Sequence, residues 1–256
     1  MGLKALGKMT RLDRKIAVVI GGSSGIGAAS ARMLAYAGAA VAIGYHHGLS
    51  RAAALVSEFG SDRHSIFPID VNDEQSVSQA AETVERHHGR VDILVNSAGK
   101  TQLVPHAELN RLDDRLWDEI LTGNLRGPFS AIRAFAPLLK KTGDGVIVNI
   151  SSISGFTGSG SNVAYCASKA GLDTMTLSLA RALGPEIRVL CVSPGAVATD
   201  FVAGRDRAAL EKIAQNTPLK RVIEPEDVAR AVMACITHLT ASTGARIIVD
   251  GGRFLM

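Results

Sequence analysis

The chain has 256 residues, of which 46% are hydrophobic and 20% are charged. This composition supplies a core for one large α/β domain and excludes an intrinsically disordered chain. The formal net charge is only +4, and aromatic residues make up 4% of the chain. Because the Lys and Arg residues are also scattered along the sequence, we expect no nucleic-acid partner.

Neither a membrane span nor a secretory signal is expected. The longest apolar stretch, Ala35 to Tyr45, is about half as long as the ~20 residues that cross a bilayer. Residues 1–15 mix Lys and Arg with apolar residues and contain no continuous apolar region of a signal peptide. We predict a short extension at 1–10 and a single domain at 11–256. The three cysteines have no CxxC spacing, so we predict that they are reduced core residues of a cytoplasmic protein. Cys166 follows Tyr165, a candidate catalytic residue, and is therefore expected to border the active site.

Short apolar runs alternate with longer amphipathic segments from end to end. The predicted strands are Ile16–Ile20, Val41–Ile43, Ile66–Ile69, Val91–Val95, Val146–Ile150, Ile187–Val192 and Ile247–Val249. The predicted helices are 25–38, 49–59, 73–88, 112–141, 163–184 and 225–239. Strands rich in Val, Ile and Leu without alternation are expected to be buried on both faces. The pattern predicts a parallel sheet with helices on both sides, and the irregular stretch at about 194–217 is expected to be functional.

A glycine-rich turn joins the first predicted strand to the first predicted helix. It reads Gly21-Gly22-Ser23-Ser24-Gly25-Ile26-Gly27. Main-chain N–H groups and a helix N-terminus form an anion site there, and glycine allows a pyrophosphate to approach the backbone closely. The spacing G-x-x-x-G-x-G differs from the commoner dinucleotide fingerprint, so an ordinary glycine turn is the alternative interpretation.

The second predicted strand ends without a carboxylate. A carboxylate there would bind the ribose 2′-OH of NAD and would repel the 2′-phosphate of NADP. The residues that follow supply hydrogen-bond donors or positive charge: Tyr45, His46, His47 and Arg51. We therefore predict a preference for NADP(H), with NAD(H) as the alternative. No metal site is expected at the histidine pair, because Cys and carboxylate ligands are absent nearby and a solvated loop explains the pair.

Tyr165 and Lys169 lie one turn apart on the same face of a predicted helix. A phenol has a pKa of about 10, and a nearby ammonium would lower that pKa by stabilising the phenolate. Such a tyrosine can exchange a proton with an alcohol or carbonyl oxygen, which complements hydride transfer at carbon. Ser152 follows a buried strand and could bind the same oxygen, while Asn124 is a polar residue inside a helix, where Asn is unfavourable.

The order of the motifs is more specific than any one of them. In chain order they are the glycine turn 21–27, Asp70-Val71, Asn96-Ser97-Ala98-Gly99, Asn124-Leu125, Ser152, Tyr165-x-x-x-Lys169, Ser193-Pro194-Gly195, Thr199 and Val249-Asp250-Gly251-Gly252. Over essentially its whole length the chain resembles the short-chain dehydrogenase/reductase family, and within it the 3-oxoacyl-(acyl-carrier-protein) reductase-like branch. The resemblance implies a Rossmann-like, doubly wound sheet of seven parallel strands that binds a nicotinamide cofactor at its carboxyl edge.

The resemblance also implies roles for individual residues. Tyr165 would be the general acid/base, Lys169 would lower its pKa and hold the nicotinamide ribose, and Ser152 would polarise the substrate oxygen. Asn124 would hold a water that links Lys169 to solvent. Residues 70–71 would contact the adenine, 96–99 the adenosine ribose and 194–199 the nicotinamide carboxamide. The cofactor-binding residues implied are Gly21, Ser23, Ser24, Gly25, Ile26, Gly27, Tyr45, His46, His47, Asp70, Val71, Asn96, Ala98, Gly99, Tyr165, Lys169, Pro194, Gly195, Val197 and Thr199.

Three residues depart from the family's pattern. Ile20, Ser97 and Leu190 stand where Thr, Asn and Asn are usual. The departures bear on the local geometry of the cofactor site and remove none of the expected catalytic groups. The family's members are usually homotetramers, which here would be built on helices 112–141 and 163–184 and the C-terminal strand region.

The sequence leaves the substrate open. We predict a small-molecule substrate, a free ketone or secondary-metabolite intermediate, that is reduced to a secondary alcohol under a closing segment at 200–217. Its residues Phe201, Val202 and Leu210 would form an apolar wall, although helix amphipathicity explains them equally well. A 3-oxoacyl thioester on acyl carrier protein or CoA is the alternative, but Glu186 lies in the expected docking patch and would repel an acidic partner.

Two functions of other classes also stay open. One is a catalytically silent NADP-binding regulator, which the intact set of Asn124, Ser152, Tyr165 and Lys169 disfavours. The other is a serine hydrolase that uses Ser152 or Ser193, but neither serine lies in a G-x-S-x-G motif that would expose it as a nucleophile.

Overall fold

The computed structural model describes residues 12–256, so the expected extension 1–10 lies outside the described residues. A parallel sheet of seven strands has the order β3-β2-β1-β4-β5-β6-β7. The strands are β1 Ile16–Ile20, β2 Ala40–Tyr45, β3 Ser65–Pro68, β4 Ile93–Asn96, β5 Gly145–Ile150, β6 Ile187–Pro194 and β7 Arg246–Val249. The predicted fold class is confirmed, since this is a single Rossmann-like domain with a doubly wound sheet.

Helices cover both faces of the sheet. They are α1 Gly25–Tyr36, α2 Leu49–Glu58, α3 Glu74–His88, α4 Asp114–Leu121, α5 Gly127–Lys140, α6 Ser154–Thr157, α7 Val163–Leu183, α8 Arg207–Gln215 and α9 Pro225–Thr237. Alternate residues of each central strand enter two separate cores, one beneath α1, α2 and α9 and the other beneath α3, α5 and α7. Burial on both faces explains why these strands are apolar throughout. None of the helices described is long and apolar enough to cross a membrane.

The strand order reverses at β1, which pairs with β2 on one side and with β4 on the other. Connections from the two strands therefore leave the sheet in opposite directions and open a crevice at its carboxyl edge. Ile20, the last residue of β1, pairs with both Gly44 and Asn96. The glycine turn, the end of β4 and the end of β5 consequently meet at this edge.

Several predicted elements need correction. The single helix predicted at 112–141 is α4 and α5 joined by a π-helical turn, Thr122–Arg126. The stretch predicted to be irregular at 194–217 contains α8, which Asp206 caps by accepting a hydrogen bond from Ala209 N at 2.8 Å. The short helix α6 was also missing from the prediction. Strand β7, which pairs only with β6, is not buried on both faces, since Arg246 and Ile248 on one face are exposed.

Candidate active site

A cleft of about 1750 Å³ lies along the carboxyl edge of the sheet. The expected site residues that line it are Gly21, Ser23, Ser24, Gly25, Ile26, His46, His47, Asp70, Val71, Ala98, Gly99, Ser152, Tyr165, Lys169, Pro194, Gly195, Val197 and Thr199. Most of the positions singled out from the sequence thus share one cavity. Four others, Gly27, Tyr45, Asn96 and Asn124, are not among its lining residues.

The glycine turn is closely packed against its neighbours. Gly21 has φ +74°, and a Cβ on it would lie 2.6 Å from Ala98 N. Gly25 has φ +51°, and a Cβ on Gly27 would lie 2.2 Å from the carbonyl oxygen of Gly21. Glycine at 27 therefore allows α1 to start against the turn, whereas Gly21 and Gly25 line the cleft. Ser24 precedes α1 without capping it through its side chain, so the first N–H groups of α1 are available to an anion.

Positively charged and neutral hydrogen-bond donors lie close together at the end of β2. His46 Nε2 lies 3.6 Å from Asp70 Oδ2, and Asp70 also accepts a hydrogen bond from Asn72 N at 2.9 Å. Arg51, in the first turn of α2, lines the same part of the cleft beside Gly48. Its guanidinium has no hydrogen-bond or ion-pair partner within the described range 12–256. The β2 end therefore offers a free cation and imidazole groups to a ligand.

The beginning of α7 fixes Tyr165 and Lys169. Asn162 caps the helix by accepting a hydrogen bond from Tyr165 N at 2.7 Å, and it donates to Gln102 O at 2.7 Å. Lys169 Nζ donates to the carbonyl oxygen of Ile150 at 2.8 Å and lies 5.7 Å from the centroid of the Tyr165 ring. The end of β5 and the first two turns of α7 are thereby held together at the cleft.

Burial controls the protonation of both groups. It raises the pKa of Tyr165 to about 12, although the Ser152 hydroxyl and the charge of Arg205 act in the opposite direction. Burial lowers the pKa of Lys169 to about 8, and the negative charge of Asp173 offsets part of that effect. The expected fall in the pKa of Tyr165 is therefore wrong for this structure. The reason is that desolvation of the phenolate dominates and the Lys169 ammonium is bonded to a carbonyl oxygen.

Asn124 is completely buried in the π-helical turn. Its Oδ1 accepts a hydrogen bond from Lys100 N at 2.7 Å, while its Nδ2 donates to Lys100 O at 2.8 Å and to Ser168 Oγ at 3.3 Å. The turn widens the helix and brings the amide between the segment after β4 and α7. Asn124 thus positions the loop at Gly99–Lys100, which forms one wall of the cleft.

The Asn96 side chain does not line the cleft and is instead bonded to a side chain of the neighbouring strand. Its Nδ2 donates to Asn149 Oδ1 at 2.9 Å, and Asn149 Nδ2 donates to Thr176 Oγ1 at 3.0 Å. This buried ladder links β4, β5 and α7.

The three cysteines are buried as predicted, but Cys166 is not a lining residue of the cleft. Successive helical residues point about 100° apart, so Cys166 turns away from the Tyr165 face and lies against Gly160.

Several residues of the cleft were not predicted from the sequence. Arg205, Arg253, Phe156 and Phe254 line it near the catalytic candidates. The Phe156 and Phe254 rings are 5.8 Å apart, and Phe201 lies 6.0 Å from the Tyr165 ring. Phe201 is thus an apolar residue of the cleft, as predicted. Arg253 and Phe254 follow the recognised motif ending at Gly252, which was the one signal that could have found them.

Comparison with known proteins gives a consistent result. A family profile described as "Enoyl-(Acyl carrier protein) reductase" matches residues 20–253. The chain is 38% identical over 250 residues to D-threitol dehydrogenase of Mycolicibacterium smegmatis, covering 94% of each chain. It is 34% identical over 246 residues to a 3-oxoacyl-(acyl-carrier-protein) reductase of Thermotoga maritima, covering 94% of this chain and 98% of the relative. A dehydrogenase/reductase structure from Sinorhizobium meliloti has TM-score 0.88 and 34% identity, covering 98% and 99% of the two chains.

Proposed function

The chain belongs to the short-chain dehydrogenase/reductase family of oxidoreductases, and we propose that it is an NADP(H)-dependent carbonyl reductase with Tyr165 as its proton donor. The observation that carries the proposal is that Tyr165, Ser152 and Lys169 line the same cleft, where Ser152 and Lys169 are buried. The same residues would catalyse the reverse oxidation, because the chemistry is reversible, and in the reductive direction Tyr165 acts as the proton donor. With a pKa of about 12, Tyr165 holds its proton at neutral pH, as a general acid for ketone reduction must.

The residues of the cleft fit a dinucleotide. The glycine turn and the start of α1 would hold the pyrophosphate, because their backbone leaves no room for a Cβ and presents N–H groups. Asp70 and Val71 would hold the adenine, Ala98 and Gly99 the adenosine ribose, Lys169 the nicotinamide ribose, and residues 194–199 the carboxamide. A bound nicotinamide supplies or accepts the hydride. The chain's own residues supply the proton and the orientation of the carbonyl.

Ser152 and Tyr165 would meet the substrate oxygen together. The Ser152 hydroxyl accepts a hydrogen bond from Ser154 N at 3.1 Å, which leaves its proton for an oxygen in the cleft. As negative charge grows on the carbonyl oxygen, the Ser152 proton stabilises it and the Tyr165 proton is transferred to it. Lys169 keeps a positive charge near the phenolate that results.

The preference for NADP(H) rests on the end of β2. Arg51 has no partner among residues 12–256, and His46 and His47 line the cleft beside it. An unpaired guanidinium suits a phosphate through two parallel hydrogen bonds. Asp70, the carboxylate that lies 3.6 Å from His46, follows β3 rather than β2 and already accepts hydrogen bonds from Asn72.

We propose a free small-molecule ketone as the substrate. A carrier-bound thioester is the second candidate, because one relative is named for it. The basic residues available to an acidic carrier are few, since Lys141 already pairs with Glu85 at 2.6 Å and Glu186 is exposed nearby. We also propose that the protein forms a homotetramer. The side chains of Phe129 on α5 and Leu177 on α7 are 41% and 44% exposed, so both helices offer apolar surface to another copy of the chain.

The test combines cofactor binding with turnover. Fluorescence titration should show NADPH binding about tenfold or more tighter than NADH. A panel of ketones, monitored by NADPH absorbance, should include substrates that the protein reduces. Tyr165→Phe should lower kcat by about 10²- to 10⁴-fold and leave the Kd for NADPH unchanged. Unchanged turnover in Tyr165→Phe, or binding of neither cofactor, would refute the proposal. NADPH binding without reduction of any ketone would favour the silent regulator.

A further inference from the structure

Two arginines lie next to the catalytic candidates from different parts of the chain. Arg205 belongs to the segment between β6 and α8, and Arg253 begins the 3-10 turn Arg253–Leu255. Both side chains line the cleft with Tyr165. Burial lowers the pKa of Arg205, the charge of Arg253 lowers it further, and Tyr165 acts in the opposite direction. Arg205 is thus close enough to both residues to interact with each of them electrostatically.

Neither arginine is neutralised. Within the described part of the chain, 12–256, their guanidinium groups have no hydrogen-bond or ion-pair partner. Other arginines nearby are paired, such as Arg207, which contacts Glu224 at 2.6 Å. Asp200 lines the cleft but is exposed and forms no ion pair with either arginine. Two partly buried like charges without a counter-ion are costly, and such an arrangement is favoured where an anion binds.

The cofactor's phosphates have other expected positions. The pyrophosphate fits the glycine turn, where a Cβ on Gly25 would lie 3.2 Å from Thr199 Cγ2. A 2′-phosphate fits Arg51 at the end of β2. Arg205 instead lies near the Tyr165 phenol, where the reacting carbonyl would be. Aromatic rings line the same cleft, with Phe201 6.0 Å from the Tyr165 ring and Phe254 5.8 Å from Phe156. This region suits the carbon skeleton of a substrate.

We propose that the substrate carries an oxyanion, a carboxylate or a phosphate, which Arg205 and Arg253 bind while its ketone lies against Tyr165 and Ser152. The planar guanidinium fork matches both oxyanions. The inference rests on the proposed function, because it names the substrate class of the same site. Arg205 and Arg253 are then specificity-determining residues, and a neutral ketone of the same shape is a poorer substrate.

The first test is direct binding to the protein saturated with NADP⁺, measured by titration calorimetry. The probes are cyclohexanecarboxylate, inorganic phosphate and the neutral cyclohexanecarboxamide. At least one oxyanion should bind more tightly than the amide, and the better of the two identifies the source of the charge. Arg205→Gln and Arg253→Gln should each weaken that binding by about 10- to 100-fold, because a charged hydrogen bond is lost. Arg205→Lys should restore part of it.

Arg207→Gln is the matched control, since it removes a charge two residues from Arg205, at the start of α8, but lies outside the cleft lining. It should leave oxyanion binding unchanged, and thermal melting should show all variants folded. Equal binding of amide and oxyanions would overturn the inference, as would unaltered binding in Arg205→Gln and Arg253→Gln. Weaker NADPH binding in Arg205→Gln with unchanged oxyanion binding would also overturn it, by making Arg205 a cofactor contact.

Turnover separates this inference from the proposed function. With 4-oxopentanoate and its methyl ester as a substrate pair, wild-type kcat/KM should favour the acid and the arginine variants should lose that preference. Reduction of both compounds at equal rates would refute the oxyanion inference while the reductase function stands. Absence of turnover across the whole ketone panel, with intact oxyanion binding, would refute the reductase function and leave the anion site established.

Discussion

Asp173 lies one helical turn after Lys169 on α7, and its carboxylate supports the charge of that lysine. The side chain is 4% exposed, accepts a hydrogen bond from Cys191 Sγ at 3.5 Å and lies 2.8 Å from Arg246 Nη2. Burial has lowered the pKa of Lys169 to about 8, and Asp173 opposes that decrease. Asp173→Asn should therefore lower the pKa of Lys169 further, so that the lysine is neutral at physiological pH.

The size of the effect follows from Coulomb's law. Residues one turn apart on a helix are about 6 Å apart, and at an effective dielectric constant of about 20 two unit charges then interact by about 3 kcal/mol. Arg246 neutralises part of the Asp173 charge, so about half of that energy should reach Lys169. Half of it corresponds to about one pH unit. A protonated Lys169 stabilises the Tyr165 phenolate, so activity should fall as pH rises through the pKa of Lys169.

The assay is the pH dependence of kcat with NADPH and a ketone found in the panel. The alkaline limb should move to lower pH by about one unit in Asp173→Asn. Arg246→Gln is the matched control with opposite sign, because it unmasks the Asp173 charge and should move the same limb to higher pH. Unfolding midpoints and the Kd for NADPH confirm that each variant is intact. Limbs that stay in place, or that move in the same direction in both variants, would refute the electrostatic role of Asp173.

Three further predictions concern the cofactor site and the base of the sheet. Arg51→Gln should weaken NADPH binding by about tenfold or more and leave NADH binding unchanged in fluorescence titrations; equal losses would refute the 2′-phosphate assignment. Gly27→Ala should weaken binding of both cofactors, because its Cβ would lie 2.2 Å from Gly21 O and must displace α1 from the turn; unchanged affinities would contradict this. Burial acts to raise the pKa of Asp92, but hydrogen bonds from Arg90 and Ile16 N lower it below its usual value. Asp92→Asn should therefore cost about 1–3 kcal/mol at pH 7. Urea unfolding should show this difference shrinking as pH falls from about 4, the pKa of Asp in the unfolded chain, through the lower pKa of Asp92 in the folded protein.

The sheet was predictable because its strands are locally distinct. A strand such as β1 is apolar at every position, and this pattern follows directly from burial on two faces. The burial of the edge strand β7 was harder to predict, since its continuous apolar sequence does not indicate that one face lacks a covering helix. The break in the long helix was hidden for a different reason. A π-helical turn at Asn124 depends on contacts with Lys100 and Ser168, which are distant in sequence.

The sequence was sufficient to predict which residues are the catalytic candidates, but not to predict their pKa values. The spacing of Tyr165 and Lys169 places them on one helix face, and the structure has that arrangement. Their pKa values depend on burial by the surrounding chain and on where the ammonium points. Lys169 points to the Ile150 carbonyl, an acceptor that the spacing of two side chains does not reveal. Arg205 and Arg253 belong to no repeated pattern, and only the fold brings them to the same cleft.

The charge of Arg205 connects the proton donor with the proposed substrate. In the structure this charge lowers the pKa of Tyr165, against the larger effect of burial. An oxyanion bound to Arg205 would neutralise the guanidinium and weaken that effect, so the phenol would hold its proton more firmly when the anionic substrate is present. Because a general acid must be protonated before it acts, a substrate of this class would favour the acid form of Tyr165. Ultraviolet titration of the phenol, with Tyr165→Phe as the reference, should then show a higher pKa of Tyr165 when a carboxylate is bound than when its neutral amide is present.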